Sequence, residues 1–150
     1  MPQSLSQVYV HITFSTKNRI PSIDAALMPD LWAYIGGLCK ARECVPLRVG
    51  GYNDHAHICC LLSKKITQIK LLEDIKKESS SWVKTRGTQY RDFYWQDGYG
   101  IFSINPSEKK VVVDYIDGQH EHHKKLTFQE EFLKFLDKYG VEYDERYLWS

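Results

Sequence analysis

Gly50-Gly51-Tyr52-Asn53-Asp54-His55-Ala56-His57-Ile58-Cys59-Cys60-Leu61-Leu62 is the stretch on which the fold turns. A Gly-Gly and Asn-Asp turn signal precedes a compact apolar run, so His55 to Leu62 reads as a strand. Cys44 to Val49, on the other side of the turn, reads as its partner in a hairpin. Side chains alternate along a strand, which gives His55, His57, Cys59 and Leu61 one face and Ala56, Ile58, Cys60 and Leu62 the other. Two imidazoles then point the same way across roughly 6.5 to 7 Å of rise, a span over which two ring nitrogens can converge on one ion. A hydrogen-bonded core histidine beside a solvated strand end would give the same pattern, and a bare His-x-His does not separate the two.

Working outward, Val8 to Phe14 alternates Val8, Val10, Ile12 and Phe14 with Tyr9, His11 and Thr13, the period of a half-buried strand. Leu27, Leu31, Ile35 and Leu38 recur at helical spacing and predict a helix from about Pro29 to Ala41, weakened at Gly36-Gly37 by roughly 1 kcal/mol per glycine. Ile69, Leu72, Ile75, Ser79, Trp82 and Val83 trace the apolar stripe of a second helix, with Glu73 spaced to pair with Lys77. Tyr99 to Ile104 is a further short strand. Asn105, Pro106 and Glu108 then make an N-cap, a first-position proline and a reciprocal acid, opening a helix that should run toward His123. A last helix starts at Thr127 with Glu130 three residues on, carries Phe128, Phe132, Phe135 and Leu136, and stops at Gly140. The order strand, helix, strand, strand, helix, strand predicts an α+β, ferredoxin-like split β-α-β plan. Its antiparallel sheet would pack helices mainly on one face, leave the other face available, and add a C-terminal tyrosine-bearing helix.

The 150 residues fit a single domain, 1–150, large enough for a real core. No basic cluster with an apolar stretch opens the chain and no long apolar run follows, which predicts a cytoplasmic protein without a membrane span. Cys39, Cys44, Cys59 and Cys60 form no Cys-x-x-Cys pair, so zinc and disulfide frameworks are both poor readings. Net charge is +1, which singles out no partner, yet charge is unevenly spread. Eight bases (Lys64, Lys65, Lys70, Lys76, Lys77, Lys84, Arg86, Arg91) meet three acids between positions 64 and 91, while six acids meet three bases from Thr127 onward. The middle segment is either a basic, nucleic-acid-facing surface or an ordinary solvated helix face.

Tyr115 and Gln119 stand four residues apart and share one helix face. A phenol with a pKa of about 10 is a poor nucleophile at neutral pH and needs a metal or base beside it. Gln119 can offer a carbonyl oxygen to the same ion. His120, His122 and His123 lack the His-Glu-x-x-His spacing of a metalloprotease, because Lys124 stands at the second ligand position, and they read as DNA-facing or plainly solvated. His11 lies on the polar side of the first strand, within reach of the histidine face. Tyr90, Phe93, Tyr94, Trp95, Tyr99 and Phe102, interleaved with Arg91, suit core packing or base stacking.

Taken together, the His55-Ala56-His57 clamp after Asp54, the later Tyr115-x-x-x-Gln119 and the stretch Trp95-Gln96-Asp97-Gly98-Tyr99-Gly100 resemble the single-tyrosine HUH transposases of bacterial insertion sequences and their REP-associated relatives. The middle clamp residue is the small Ala56 rather than a bulky aliphatic, and Gly118 interrupts the tyrosine helix, where it is expected to let the helix bend; neither removes a reacting group. The resemblance implies Mg²⁺ or Mn²⁺ held by His55, His57 and Gln119, with Tyr115 as catalytic nucleophile. It implies cleavage and rejoining of single-stranded DNA at hairpin-forming ends through a 5′-phosphotyrosine, commonly in a homodimer. Lys64, Lys65, Lys76, Lys77, Lys84, Arg86 and Arg91 are the candidate DNA contacts. A non-catalytic hairpin-binding module and an HUH nickase of the replication-initiator or relaxase type are the alternatives.

Overall fold

The computed structural model describes residues 3–149. Four strands, β1 (Tyr9–Ser15), β2 (Val45–Tyr52), β3 (His55–Leu61) and β4 (Gly100–Ser103), form one sheet in the order β2-β3-β1-β4. Every neighbouring pair is antiparallel, so β1 and β2 run parallel with β3 between them. Helix α1 (Met28–Ala41) makes the crossover from β1 to β2, and α2 (Gln68–Lys84) connects β3 to β4. This is the ferredoxin-like α+β plan expected from the element order.

The alternation of β1 and β3 divides the sheet into two chemically different faces. Val10, Ile12 and Phe14 join Ala56, Ile58 and Cys60 in an apolar core against Leu31 and Ile35 of α1 and Leu71, Leu72, Ile75 and Val83 of α2. The opposite face presents His11, Thr13, His55 and His57, all buried. It is not left open. Helix α3 (Lys109–Asp117) covers its lower part with Val112 and Ile116 against Tyr9 and Cys59. A short α4 (Gln119–His122) and α5 (Phe128–Lys138) close the rest, and α6 (Glu145–Leu148) follows. The expected available face is thus roofed, because α5 carries an apolar stripe of its own, Phe128, Phe132 and Leu136, that buries against Phe102 of β4.

Local departures from the sequence reading have identifiable causes. Gly50 and Gly51 belong to β2, and the hairpin turns on Asn53-Asp54 alone, with Tyr52 paired to His55. At Gly51, φ is +147° and a Cβ would stand 2.2 Å from the His55 carbonyl oxygen, so the glycine serves strand pairing rather than the turn. On α2, Ile69 is exposed and Leu71 takes its place in the core, while the i,i+4 ion pair that forms is Lys70 with Asp74 at 3.0 Å, not Glu73 with Lys77. The tyrosine helix opens through a 3-10 turn at Pro106–Glu108 under the Asn105 capping box and breaks at Gly118 instead of running unbroken to His123. Helix α5 starts under the Thr127–Glu130 capping box and ends with Val141 N donating to Leu136 O at 2.9 Å. Among the described residues no helix is long and apolar enough to cross a membrane.

Candidate active site

β3 delivers His55 and His57 side by side, both fully enclosed, with their Nε2 atoms turned toward the helices above. Each ring is fixed from behind. His55 Nδ1 is 2.7 Å from Asp54 Oδ1, and His57 Nδ1 is 2.8 Å from His11 Nε2, since β1 places His11 diagonally across the ladder. These contacts set which ring nitrogen carries the proton. With the His55 proton on Nδ1 toward the Asp54 carboxylate, the Nε2 lone pair faces Gln119 Oε1 at 2.8 Å. A divalent ion placed there would meet both lone pairs.

Glu131 of α5 completes the cluster. Its Oε1 lies 2.8 Å from His57 Nε2 and 3.6 Å from His55 Nε2, and the ligand atoms of His55, His57 and Glu131 all fall within 4.8 Å of one another. Two imidazole nitrogens with oxygen donors from a carboxylate and an amide form a set that suits a divalent ion. The other Glu131 oxygen, Oε2, accepts from the Tyr115 hydroxyl, from Gln119 Nε2 at 3.1 Å and from His123 Nε2 at 3.2 Å. Tyr115 Oη is also 3.0 Å from His122 Nε2. Phenol, amide, carboxylate and five imidazoles therefore form one connected network.

Burial and charge set the protonation states. Burial alone would raise the Glu131 carboxyl, but the imidazoles of His57, His123 and His55 outweigh it and hold the group far below the carboxylate range. Tyr115 is pushed well above its ordinary value by burial and by the Glu131 charge. His11 and His57 are lowered by burial, His57 against the opposing pull of Glu131, whereas His123 is raised because the Glu131 contact exceeds its burial penalty.

The structure brings Tyr115, His55, His57 and Gln119 together and adds His11, His122, His123 and Glu131. His122 and His123 are not plain surface residues: α4 turns both inward, and His123 also lies 2.9 Å from Gln119 Oε1. Glu131 was legible only as one acid of an acidic tail, yet it occupies the i+3 position after Phe128 and the i−4 position before Phe135. A carboxylate inside an apolar stripe was the available signal.

The basic segment is not brought to Tyr115. Lys64 Nζ donates to Ser4 O, Lys65 pairs with Glu43, Arg86 with Asp30 and Arg91 with Asp92, while Lys77 is exposed. Lys84 Nζ sits 3.9 Å from the Tyr94 ring centre, and Lys76 Nζ donates to the carbonyl oxygens of Gln96 and Gly98. Helix α2 packs on the apolar face, across the sheet from the histidines. The cavity that opens beside Tyr115, about 250 Å³, is instead flanked by Lys134 and Lys138 of α5. Of the aromatic candidates, Tyr90, Phe93, Trp95 and Phe102 are core residues.

Comparison with solved structures returns the same architecture. A protein of Deinococcus radiodurans R1 crystallised as a candidate transposase superposes with a TM-score of 0.59 at 12% identity, covering 79% of this chain and 98% of that one. A REP-associated tyrosine transposase bound to a REP hairpin superposes with a TM-score of 0.61 at 16% identity, covering 84% of this chain and 74% of that one. No curated protein matches. Residues 4–119, most of the chain and inclusive of the strand histidines, Tyr115 and Gln119, match the family model described as Transposase IS200 like, and the chain belongs to that family.

Proposed function

We propose that this transposase cleaves and rejoins single-stranded DNA at hairpin-forming ends through a covalent phosphotyrosine at Tyr115. One observation carries the reading. The Tyr115 hydroxyl meets Glu131, whose other carboxylate oxygen is 2.8 Å from His57 Nε2, so the nucleophile and the metal-ligating groups share one network. The hairpin bound by the REP-associated neighbour supports the choice of DNA substrate.

His55 and His57 would hold the ion through Nε2, Gln119 through Oε1 and Glu131 through its carboxylate, and this mixed nitrogen and oxygen set favours Mg²⁺ or Mn²⁺. When bound, a divalent ion supplies positive charge that polarises a non-bridging phosphate oxygen and favours the phenolate. Tyr115 Oη attacks phosphorus: the Oη–P bond forms, the P–O3′ bond breaks, and a 5′-phosphotyrosine and a free 3′-OH result. Glu131 Oε2 already accepts the phenol's hydrogen bond and is the nearest acceptor for its proton. Rejoining is the reverse attack by a 3′-OH, and it needs no ATP because the phosphodiester energy stays in the protein–DNA bond. Lys134 and Lys138, beside the cavity at Tyr115, are placed to meet the incoming strand's phosphates.

Incubation of labelled single-stranded hairpin DNA with Mg²⁺ or Mn²⁺ should yield a protein–DNA adduct on a denaturing gel. Tyr115→Phe, or a chelator, should abolish both adduct and nicking. Wild-type-like nicking by Tyr115→Phe would end the assignment, and no adduct on any hairpin would favour a non-catalytic binding module. In a homodimer, as the resemblance implies, each site would use its own tyrosine, because Tyr115 reaches the histidines of its own chain. Mixing His55→Ala with Tyr115→Phe chains should therefore restore no cleavage.

A further inference from the structure

A second pocket, about 190 Å³, opens beside the histidine site on the β1 side and is lined by Thr13, Ser15, Arg19, Asp97, Tyr99 and Trp149, among others. It lies next to the chemistry. Thr13 is the cross-strand partner of His57 and Ser15 that of His55, and Phe128, on the pocket wall, packs 4.8 Å from the His55 ring. Its volume falls below the roughly 300–1,000 Å³ of sites that take drug-sized ligands, which suits one planar group with its attached phosphate.

Arg19 is the informative residue. Its Nη1 is enclosed and has no hydrogen-bond partner, a rare and costly state for a guanidinium nitrogen. The guanidinium carbon stands 5.6 Å from the centre of the Trp149 ring. Its backbone is strained as well: Asn18 and Arg19 have φ of +55° and +56°, a region that arginine seldom enters. The surroundings enforce that conformation through Thr16 Oγ1 donating to Ile20 O at 2.7 Å, Lys17 N to Tyr94 O at 2.8 Å and Asn18 N to Gln96 Oε1 at 2.9 Å. The acid in the pocket does not neutralise Arg19. Asp97 feels the charge of Lys76, whose Nζ donates to the carbonyl oxygens on either side of it, and among the described residues Arg19 has no ion pair.

We propose that this pocket is a nucleotide subsite, in which Arg19 binds a backbone phosphate of an unpaired DNA strand while the Tyr99 and Trp149 rings receive its base. The inference rests on the single-stranded DNA reading above and adds to it where the strand next to the reacting phosphate is held. A half-buried guanidinium with one unpartnered nitrogen fits a phosphate, and aromatic faces take any base without reading its sequence.

The test uses the full chain carrying Tyr115→Phe, with chelator present, so that neither cleavage nor metal contributes. Fluorescence anisotropy would follow oligothymidylate alone, a stable DNA hairpin carrying an unpaired oligothymidylate tail, and the same hairpin with blunt ends. Arg19→Gln should weaken binding of the two unpaired probes about tenfold and lower the salt dependence, the slope of log affinity against log salt, by about 0.7 for one lost phosphate contact. Arg19→Lys should keep most of that slope, Trp149→Ala should weaken the same probes about tenfold with the slope unchanged, and blunt-hairpin binding should not move. Unchanged affinity and slope in Arg19→Gln, where the parent protein binds the tailed probe, would overturn the subsite and leave the transposase reading standing. Failure of the parent protein to bind any unpaired probe would overturn both. Should Arg19→Gln lose its circular dichroism signature, Arg19→Lys and Trp149→Ala decide: full affinity of both for the unpaired probes overturns the subsite.

Discussion

The two faces of the central sheet are built from the same strands, residue by residue in alternation, and are stabilised in opposite ways. Val10, Ile12 and Phe14 of β1, with Ala56, Ile58 and Cys60 of β3, meet α1 and α2 through apolar contact alone. That kind of burial is non-directional, at about 1.5–3 kcal/mol per large side chain. One residue along, His11, His55 and His57 must have each ring nitrogen matched. Their partners come from distant parts of the chain: His57 for His11, Gln119 for His55, Glu131 for His57. The apolar face asks only for volume, whereas the polar face asks for particular atoms at particular places, and that demand is what makes it chemically useful.

The largest stability change should come from breaking the apolar face. Phe14 is buried, edge-on to Trp95 with ring centres 4.7 Å apart, and packs in the core that β1 shares with both covering helices. Phe14→Ala should cost about 3–5 kcal/mol, a large part of the 5–15 kcal/mol that holds a domain together. Urea unfolding should show a lower midpoint with unchanged slope, and a loss below about 1 kcal/mol would mean that this face is not the main core.

The same contrast explains what could be read from the sequence. Alternation in Val8 to Phe14 and His55 to Leu62 identifies both faces, because the signal is local and the strand period is two. Capping boxes at Asn105 and Thr127 are local too, and they mark the starts of the tyrosine helix and of α5 correctly. The inward turn of His122 and His123 depends on how α4 and α5 fold back over the sheet, which no spacing within either helix encodes, and the spacing that sets Glu131 in the apolar stripe of α5 does not say which groups it meets. The basic run from Lys64 to Arg91 illustrates the converse: composition shows charge but not which face of the sheet a helix covers.

A smaller effect should come from disturbing the approach of the tyrosine helix. Gly50 of β2 lies under α3, where an added Cβ would stand 2.7 Å from Ile116 Cγ2, next in sequence to Tyr115. The neighbouring atom belongs to a buried, branched side chain with little freedom to move aside. Gly50→Ala should destabilise by about 1–3 kcal/mol through overpacking. Because the displaced element carries the nucleophile, adduct formation should fall further than DNA binding does. Equal losses in both would indicate that α3 relaxes as a unit, without shifting Tyr115 against the histidines.

The effect that separates the faces most cleanly is their response to acid in the metal-free protein. His11 and His57 are lowered by burial, so below about pH 6.5 the unfolded chain binds protons that the folded one refuses. Stability present above that value should drain as pH falls, at up to about 1.4 kcal/mol per pH unit for each imidazole. His123 is raised and works the other way in a different window, adding stability as pH falls from its folded value to about 6.5 and leaving the slope below 6.5 to the lowered imidazoles. Glu131, held low, acts in the same direction as His11 and His57 but only in the carboxylate range, which separates its contribution by pH. Urea midpoints of wild type should therefore decline from about pH 6.5 toward pH 5, before the carboxylates titrate. The Phe14→Ala penalty should stay constant across that interval, since neither Phe14 nor the Trp95 ring it packs against carries a group that titrates there. A flat wild-type profile would mean that the imidazoles accept protons in place, and that the network around Glu131 is looser than its hydrogen bonds imply.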